Sequence, residues 1–370
     1  MTKHCPQNER IKRDYFIFLK EAKRQSESTV DACAKAVDRF EVYNRHRDFR
    51  QFHRAQAVGF KKHLAEQTGQ RTGEKLSKAT LYSTMTQLKR FFEWLAMQPG
   101  YKSHVQYSDA EYFSVSDKDA RIATARREQI APTLEQVRNV IQKMPANNEI
   151  ERRNRALIAF TILTGARDGA IASMKLKHVD LIENSVSQDA REVQTKFSKT
   201  FNTFFFPVGD EIRSIVADWV SYLREEKLLG NEDPLFPATL VALGPTRQFE
   251  VSGLGRCHWK NASPIRKIFR EAFTAADLPY FNPHSFRNTL VQLMLKICKS
   301  AEEVKAWSQN LGHEGVMTTF VSYGQVPCDR QGEIILGLSG PEKAVQTDVR
   351  ALAKAFFQEL RNSGVDLRVK

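Results

Sequence analysis

The chain has 370 residues, 41% apolar and 27% charged, which excludes a disordered or membrane-embedded chain and suits about two domains by length. Its 56 Lys and Arg outweigh its 43 Asp and Glu, leaving a net charge of +13. A basic excess of that size points to a polyanionic partner, nucleic acid before an anionic membrane surface.

The excess is uneven: residues 1–130 hold 25 basic against 16 acidic side chains, and the remainder holds 31 against 27. Lys3, Arg10, Lys12, Arg13, Asp14 and Lys20 crowd the first twenty residues, so no signal-peptide core is expected there. The richest apolar stretch, Leu157 to Leu163, is far short of the roughly 20 residues of a membrane span. The five cysteines are scattered without a C-x-x-C pair, which argues for a reducing cytoplasm and against a disulfide framework or structural zinc.

In chain order, residues 11–66 read as helical pieces carrying Tyr15, Phe16, Phe18 and Leu19, then Val30, Ala34, Val37 and Phe40. From Ser77 to Leu95 the apolar residues Leu81, Met85, Leu88, Phe92 and Leu95 form one stripe of an α-helix, with Lys78, Lys89 and Arg90 off it. Pro99-Gly100 stops that helix. Residues 1–104 are therefore predicted to be a small, basic, all-helical DNA-binding domain. The polar, aperiodic run that follows predicts a basic interdomain linker over 105–130, closing on Arg121, Arg126 and Arg127. Together with Lys78, Lys89 and Arg90, these three arginines are the candidate DNA contacts.

Thr133 and Gln136 then spell a capping box, and Val137, Val140 and Ile141 continue the apolar face of its helix. A second domain over 131–338 is predicted to be mostly helical with one β interruption. In it, Val193, Thr195 and Phe197 would pair with Thr203 to Val208 across a connection at Ser198 to Asn202. Helices are expected again after Asp210, through Trp219, Tyr222 and Leu223, and across 262–276 and 284–299. Ser339-Gly340-Pro341 breaks the chain before a tail helix within 339–370, whose Val349, Leu352, Phe356 and Leu360 form one apolar stripe. No phosphate-cradling glycine loop, dinucleotide fingerprint or HExxH is present.

Three local signals carry chemistry. Thr164-Gly165-Ala166-Arg167 places an arginine past a glycine break, where a permanently charged guanidinium can grip a phosphate bidentately. In Asn282-Pro283-His284-Ser285-Phe286-Arg287, an imidazole and a guanidinium three apart share one face of a first helical turn. Asn310-Leu311-Gly312-His313 is followed by Thr318, Thr319 and Tyr323.

Taken in that order, these motifs resemble the catalytic domain of tyrosine recombinases, the phage-integrase family, over about residues 131–330. Residues 1–104 resemble the family's core-binding domain in character only. The resemblance implies a mainly α, two-domain architecture: a helical core-binding domain and an α+β catalytic domain with a small β-hairpin or sheet. It implies that Tyr323 attacks a DNA phosphodiester, that Arg167 and Arg287 neutralise the transition state, that His284 assists proton transfer and that His313 binds a non-bridging oxygen. The family's hairpin lysine, general acid for the leaving oxygen, is best matched by Lys199, eight residues before Pro207, with Lys196 competing. The family commonly has an acidic residue three positions after its first arginine; here that position is Ala170, and Asp168 stands beside Arg167 to take over its role.

The same resemblance implies no cofactor and no metal, since the bond energy stays in a 3′-phosphotyrosyl link. The implied partners are a double-stranded DNA recombination site, three further copies in a synaptic homo-tetramer built from monomers, and accessory DNA-bending proteins, with no membrane. The expected location is the cytoplasm, on the nucleoid, and the origin a mobile genetic element. In the family the segment after the tyrosine commonly packs on the adjacent subunit. Two other readings share these motifs: a type IB topoisomerase-like relaxing enzyme with the same chemistry, and a non-catalytic DNA-binding protein on the same fold. The long segment 324–370 favours a recombinase, and the intact Arg, His, Arg, His and Tyr set speaks against a mere binder.

Overall fold

A computed structural model of the chain describes residues 4–69, 73–125, 130–243 and 248–313. Arg126, Arg127, Tyr323 and the tail helix expected within 339–370 lie outside the described residues. The chain divides into two compact units, Met1–Arg127 and Glu128–Lys370. Among the described residues the secondary structure is mainly helical with two small antiparallel sheets. Among the described residues no helix is long and apolar enough to cross a membrane.

The first unit contains α1 (Pro6–Ile17), α2 (Glu27–Tyr43), α3 (Arg54–Glu66), α4 (Lys78–Leu95) and α5 (Asp117–Thr124). Ser77 caps α4 by accepting from the Thr80 N–H, and Met85, Leu88, Phe92 and Leu95 of its stripe are buried. Aromatic rings fill the centre: Phe52 stacks on Phe92 with centroids 3.9 Å apart, and Phe113 stacks on Phe52 at 5.5 Å and on Phe92 at 5.3 Å.

Phe113 corrects the expected linker over 105–130. Tyr107–Phe113 is a 3₁₀ helix whose Ala110 and Phe113 are wholly buried, and Val105 is buried before it. In a 3₁₀ helix residues i and i+3 line up, so two apolar side chains three apart suffice to dock it, a pattern too sparse to register as a helical stripe. Ser116 then caps α5 by accepting from the Asp119 N–H.

In the second unit α6 (Leu134–Lys143) starts on the predicted capping box, Thr133 with Gln136. α7 (Glu149–Thr164) is its central helix: every residue from Ala156 to Thr164 is buried, as befits a helix apolar on all sides. Gly165 ends it in the left-handed region at φ +60°, and a Cβ there would come within 2.9 Å of Leu311 and 3.0 Å of Leu290. A short helix α8 (Asp168–Ser173) follows, then β1 (Val179–Asp180), β2 (Ser185–Gln188) and β3 (Phe201–Phe204) in a three-stranded antiparallel sheet of that order.

The pairing differs from expectation. The partner of β3 is β2, in register Ser185 to Phe204 and Gln188 to Phe201, and residues 189–200 form the connection. Val193 is buried as an anchor of that connection, which gave it the look of a strand residue. β2 itself is Ser-Val-Ser-Gln, with one apolar side chain inside and Gln188 satisfied by Thr203, so its alternation is faint.

α9 (Asp210–Ser221) runs on into a π-helical turn at Tyr222–Glu226. A second hairpin, β4 (Thr239–Leu243) and β5 (Phe249–Leu254), was not expected. Its base is held by the buried Arg153, which donates to the Pro237 carbonyl at 2.9 Å and to Thr239 Oγ1 at 3.0 Å. α10 (Ser263–Ala275), α11 (Ser285–Ile297) and α12 (Ala301–Asn310) complete the described part of the unit. α10 packs against α6 and α8, and α11 against α7.

Candidate active site

Three chain segments meet around one buried guanidinium. Arg287 lies on the first turn of α11 and is 2% exposed. Its Nη1 donates to the Gly165 carbonyl at 2.7 Å, its Nη2 to the Leu311 carbonyl at 2.5 Å, and Nη2 also lies 2.7 Å from His313 Nε2. The first contact ties α11 to the end of α7, and the other two tie it to the turn after α12. Both carbonyls belong to helix ends, where the backbone has acceptors to spare.

A guanidinium only donates, so Nε2 of His313 accepts and its ring proton sits on Nδ1. His313 is buried, and burial together with the positive charges of Arg287, Arg167, His284 and Lys199 lowers its pKa to about 3. His284 precedes α11 and keeps an exposed edge. The protein packed around its ring, then Arg287, Arg167 and Lys196, hold its pKa at about 4 against the weak opposition of Asp168. Both imidazoles are therefore neutral near pH 7.

The same electrostatics gather the other predicted residues. Arg167, partly buried at the head of α8, is felt at both histidines. Lys199, just before β3, acts on His313, and Lys196, in a 3₁₀ turn at Lys196–Ser198, acts on His284. Arg287 contacts His313 directly, and the charges of Arg167, Lys196 and Lys199 are felt at His284 or His313, so these predicted residues share one neighbourhood. Among the described residues no group of His, Cys, Asp and Glu is arranged to hold a metal ion.

Asp168 does not support Arg167. Its Oδ2 accepts from Arg266 Nε on α10 at 2.8 Å, and its Oδ1 accepts from the Gly169 N–H at 2.9 Å. Ala170 is buried in the apolar core. Sequence reasoning passed over Arg266, which is one of three basic residues on an amphipathic helix and carries no distinguishing cue.

In the first unit, Lys78 pairs with Asp119 at 2.8 Å and Lys89 with Glu111 at 2.7 Å, whereas Arg90 and Arg121 are exposed. Such surface pairs are worth about 0–1 kcal/mol, so a phosphate can displace either carboxylate at little cost.

The depressed histidine pKa values have a measurable consequence. Unfolded, both imidazoles take up protons near 6.5; folded, only near 4 and 3. The unfolded chain therefore binds more protons between those values, and folding stability falls as pH drops from about 6.5 towards 4. NMR titration of the imidazole C–H signals of the DNA-free protein should find both rings neutral at pH 6. A ring of either residue titrating above pH 6 would refute the packing described.

Comparison with known proteins gives a consistent picture. A family model described as the phage integrase family matches residues 133–327. The tyrosine recombinase XerC of Lactobacillus delbrueckii subsp. bulgaricus is 26% identical over 251 residues, 67% of this chain and 72% of that protein. Among solved structures, a lambda integrase dimer bound to a COC′ core site is similar with a TM-score of 0.55 and 14% identity, over 87% of this chain and 81% of that one. The Tn1549 transposon integrase in complex with circular intermediate DNA is similar with a TM-score of 0.51 and 13% identity, over 89% of this chain and 99% of that one.

Proposed function

The chain belongs to the phage integrase family and is a tyrosine-type site-specific DNA recombinase, and we propose that it works through a 3′-phosphotyrosyl bond to Tyr323. The observation that carries this reading is the convergence of two guanidiniums, two neutral imidazoles and a lysine on one spot. That set suits a pentacoordinate phosphate and a proton relay.

In the proposed step, Tyr323 Oη attacks the scissile phosphorus, the bond to the 5′-oxygen breaks, and DNA is left with a free 5′-hydroxyl. Ionising a free tyrosine at pH 7 costs about 4 kcal/mol. Arg167 and Arg287 offset this by neutralising the charge that grows on the phosphoryl oxygens. His284, neutral at pH 7, accepts the phenolic proton. His313 turns its Nδ1–H to a non-bridging oxygen, and Lys199 gives its proton to the departing 5′-oxygen. A 5′-hydroxyl from a second strand then reverses the step, so bond energy is conserved. A covalent protein–DNA adduct on a nicked suicide duplex tests the reading directly.

The partner is double-stranded DNA. Phosphate contacts from Arg90, Arg121, Arg126, Arg127, Lys78 and Lys89 supply affinity and salt dependence, and base contacts supply site choice. Cytoplasmic DNA, as part of the nucleoid, is where such a partner is met. Four copies assemble for strand exchange, each docking its tail on a neighbour. Burying the tail stripe Val349, Leu352, Phe356 and Leu360 contributes about 6–12 kcal/mol gross before ordering costs, enough to hold a neighbour. A chain truncated after Leu338 should still form the adduct but lose cooperative binding and synapsis in native gels. Full tetramer assembly by the truncated chain would remove this element of the proposal.

A further inference from the structure

One side chain that the chemistry does not use joins the turn carrying His313 to the strand that follows Lys199. The Asn310 carboxamide lies along the outer edge of β3 and behaves as a strand partner. The Phe204 N–H donates to its Oδ1 at 2.7 Å, and its Nδ2 donates to the Phe204 carbonyl at 2.8 Å. The Asn310 carbonyl in turn accepts from Thr203 Oγ1 at 3.0 Å, and that hydroxyl is held from the other side by Gln188 Nε2 of β2 at 3.0 Å. Two residues on, Gly312 at φ +70° seats its backbone against the Phe201 ring, where a Cβ would meet ring atoms at 2.6–3.0 Å. From Phe201 to Phe204, β3 is thus laid against the turn Asn310 to His313.

An asparagine fits this seam for a stereochemical reason. Its side chain ends in a primary amide, the one short group that offers a donor and an acceptor with the spacing of a peptide unit. Aspartate has no donor for the Phe204 carbonyl, and alanine has neither group. Lys199 stands two residues before β3 and His313 three residues after Asn310, so the seam sets where each lies relative to the other. The influence of Lys199 on His313 is consistent with that closeness.

We propose that Asn310 is a positioning residue for strand transfer, whose carboxamide registers β3, and with it Lys199, against the turn that carries His313. The proton donor for the leaving oxygen and the phosphate-binding imidazole then arrive as one unit. This rests on the reading of Lys199 as the general acid. Misplacing a catalytic group by about 1 Å costs on the order of 10²-fold in rate, so loosening the seam shows as slow departure of the 5′-oxygen.

The test compares the full-length protein on two suicide duplexes, one with the ordinary 5′-oxygen and one with a 5′-bridging sulfur, which departs without a proton. Asn310→Ala should cleave the oxygen substrate about 10²-fold more slowly, and return to within about threefold of the unsubstituted chain on the sulfur substrate. Lys199→Ala, run beside it, should show the same rescue. A residue that merely holds the fold together would lose both substrates alike. Asn310→Asp, which keeps the acceptor for the Phe204 N–H but sets a carboxylate against the Phe204 carbonyl, should give the same pattern and replaces the alanine variant if that one fails to fold. Equal losses on both substrates, or none on either, overturn the proposal, while a rescued Lys199→Ala leaves the lysine reading standing. A Lys199→Ala chain that sulfur does not rescue fails that reading instead, and the proposal falls with it.

Discussion

Tyr323→Phe should form no covalent adduct on a nicked suicide duplex, yet bind the same duplex within about twofold of the unsubstituted chain. One oxygen atom is removed, and its proposed part in the reaction is to make a bond to phosphorus, an interaction that exists only along the reaction path. Gel shift and adduct formation on the same DNA separate the two effects. Residual adduct in the phenylalanine chain would reassign the nucleophile. In the proposed mechanism Tyr323 is the one route to strand exchange, so this loss is expected to be complete rather than graded.

Arg167→Ala and Arg287→Ala should each slow cleavage by about 10²–10³-fold, because a positive charge aimed at growing negative charge acts mostly in the transition state. The two should part company in stability. Arg167 heads α8 and is partly exposed, so its removal leaves the unfolding temperature little changed. Arg287 satisfies the Gly165 and Leu311 carbonyls, and stranding buried acceptors costs about 1–3 kcal/mol each. Arg287→Ala is therefore expected to unfold at a distinctly lower temperature. Equal and small thermal shifts for both variants would contradict the role of Arg287 as a structural hub. Equal losses in DNA affinity and cleavage would recast both as ordinary phosphate contacts.

Much of this site is legible in the residues alone. The all-round apolar run of α7, its glycine stop and the arginine beyond are local signals, as are His284 and Arg287 on one turn and the glycine before His313. The stripe of α4 and the capping box of α6 are equally local. What escaped is non-local or polar. The pairing of β2 with β3 is written in serines and a glutamine, and β4–β5 was read through entirely. The packing of Ala110 and Phe113 depends on rings contributed by Phe52 and Phe92. The partners of Arg287 are main-chain oxygens, which every residue has, so no pattern of side chains announces them.

Arg287 also bears on when this protein becomes dangerous to the DNA around it. The guanidinium's anchors, Gly165 and Leu311, lie 122 and 24 positions away along the chain, and His313 lies further on still. During synthesis the chain emerges from its N-terminus at about 5–20 residues per second, and distant contacts of this kind close late. A nascent chain, or one broken off before Leu311, lacks the turn that completes the cluster, and Tyr323 is made later again. On the proposed mechanism the ability to cut is thus withheld from any product of translation that stops before Tyr323, and a ribosome stalled short of that residue releases no nicking fragment.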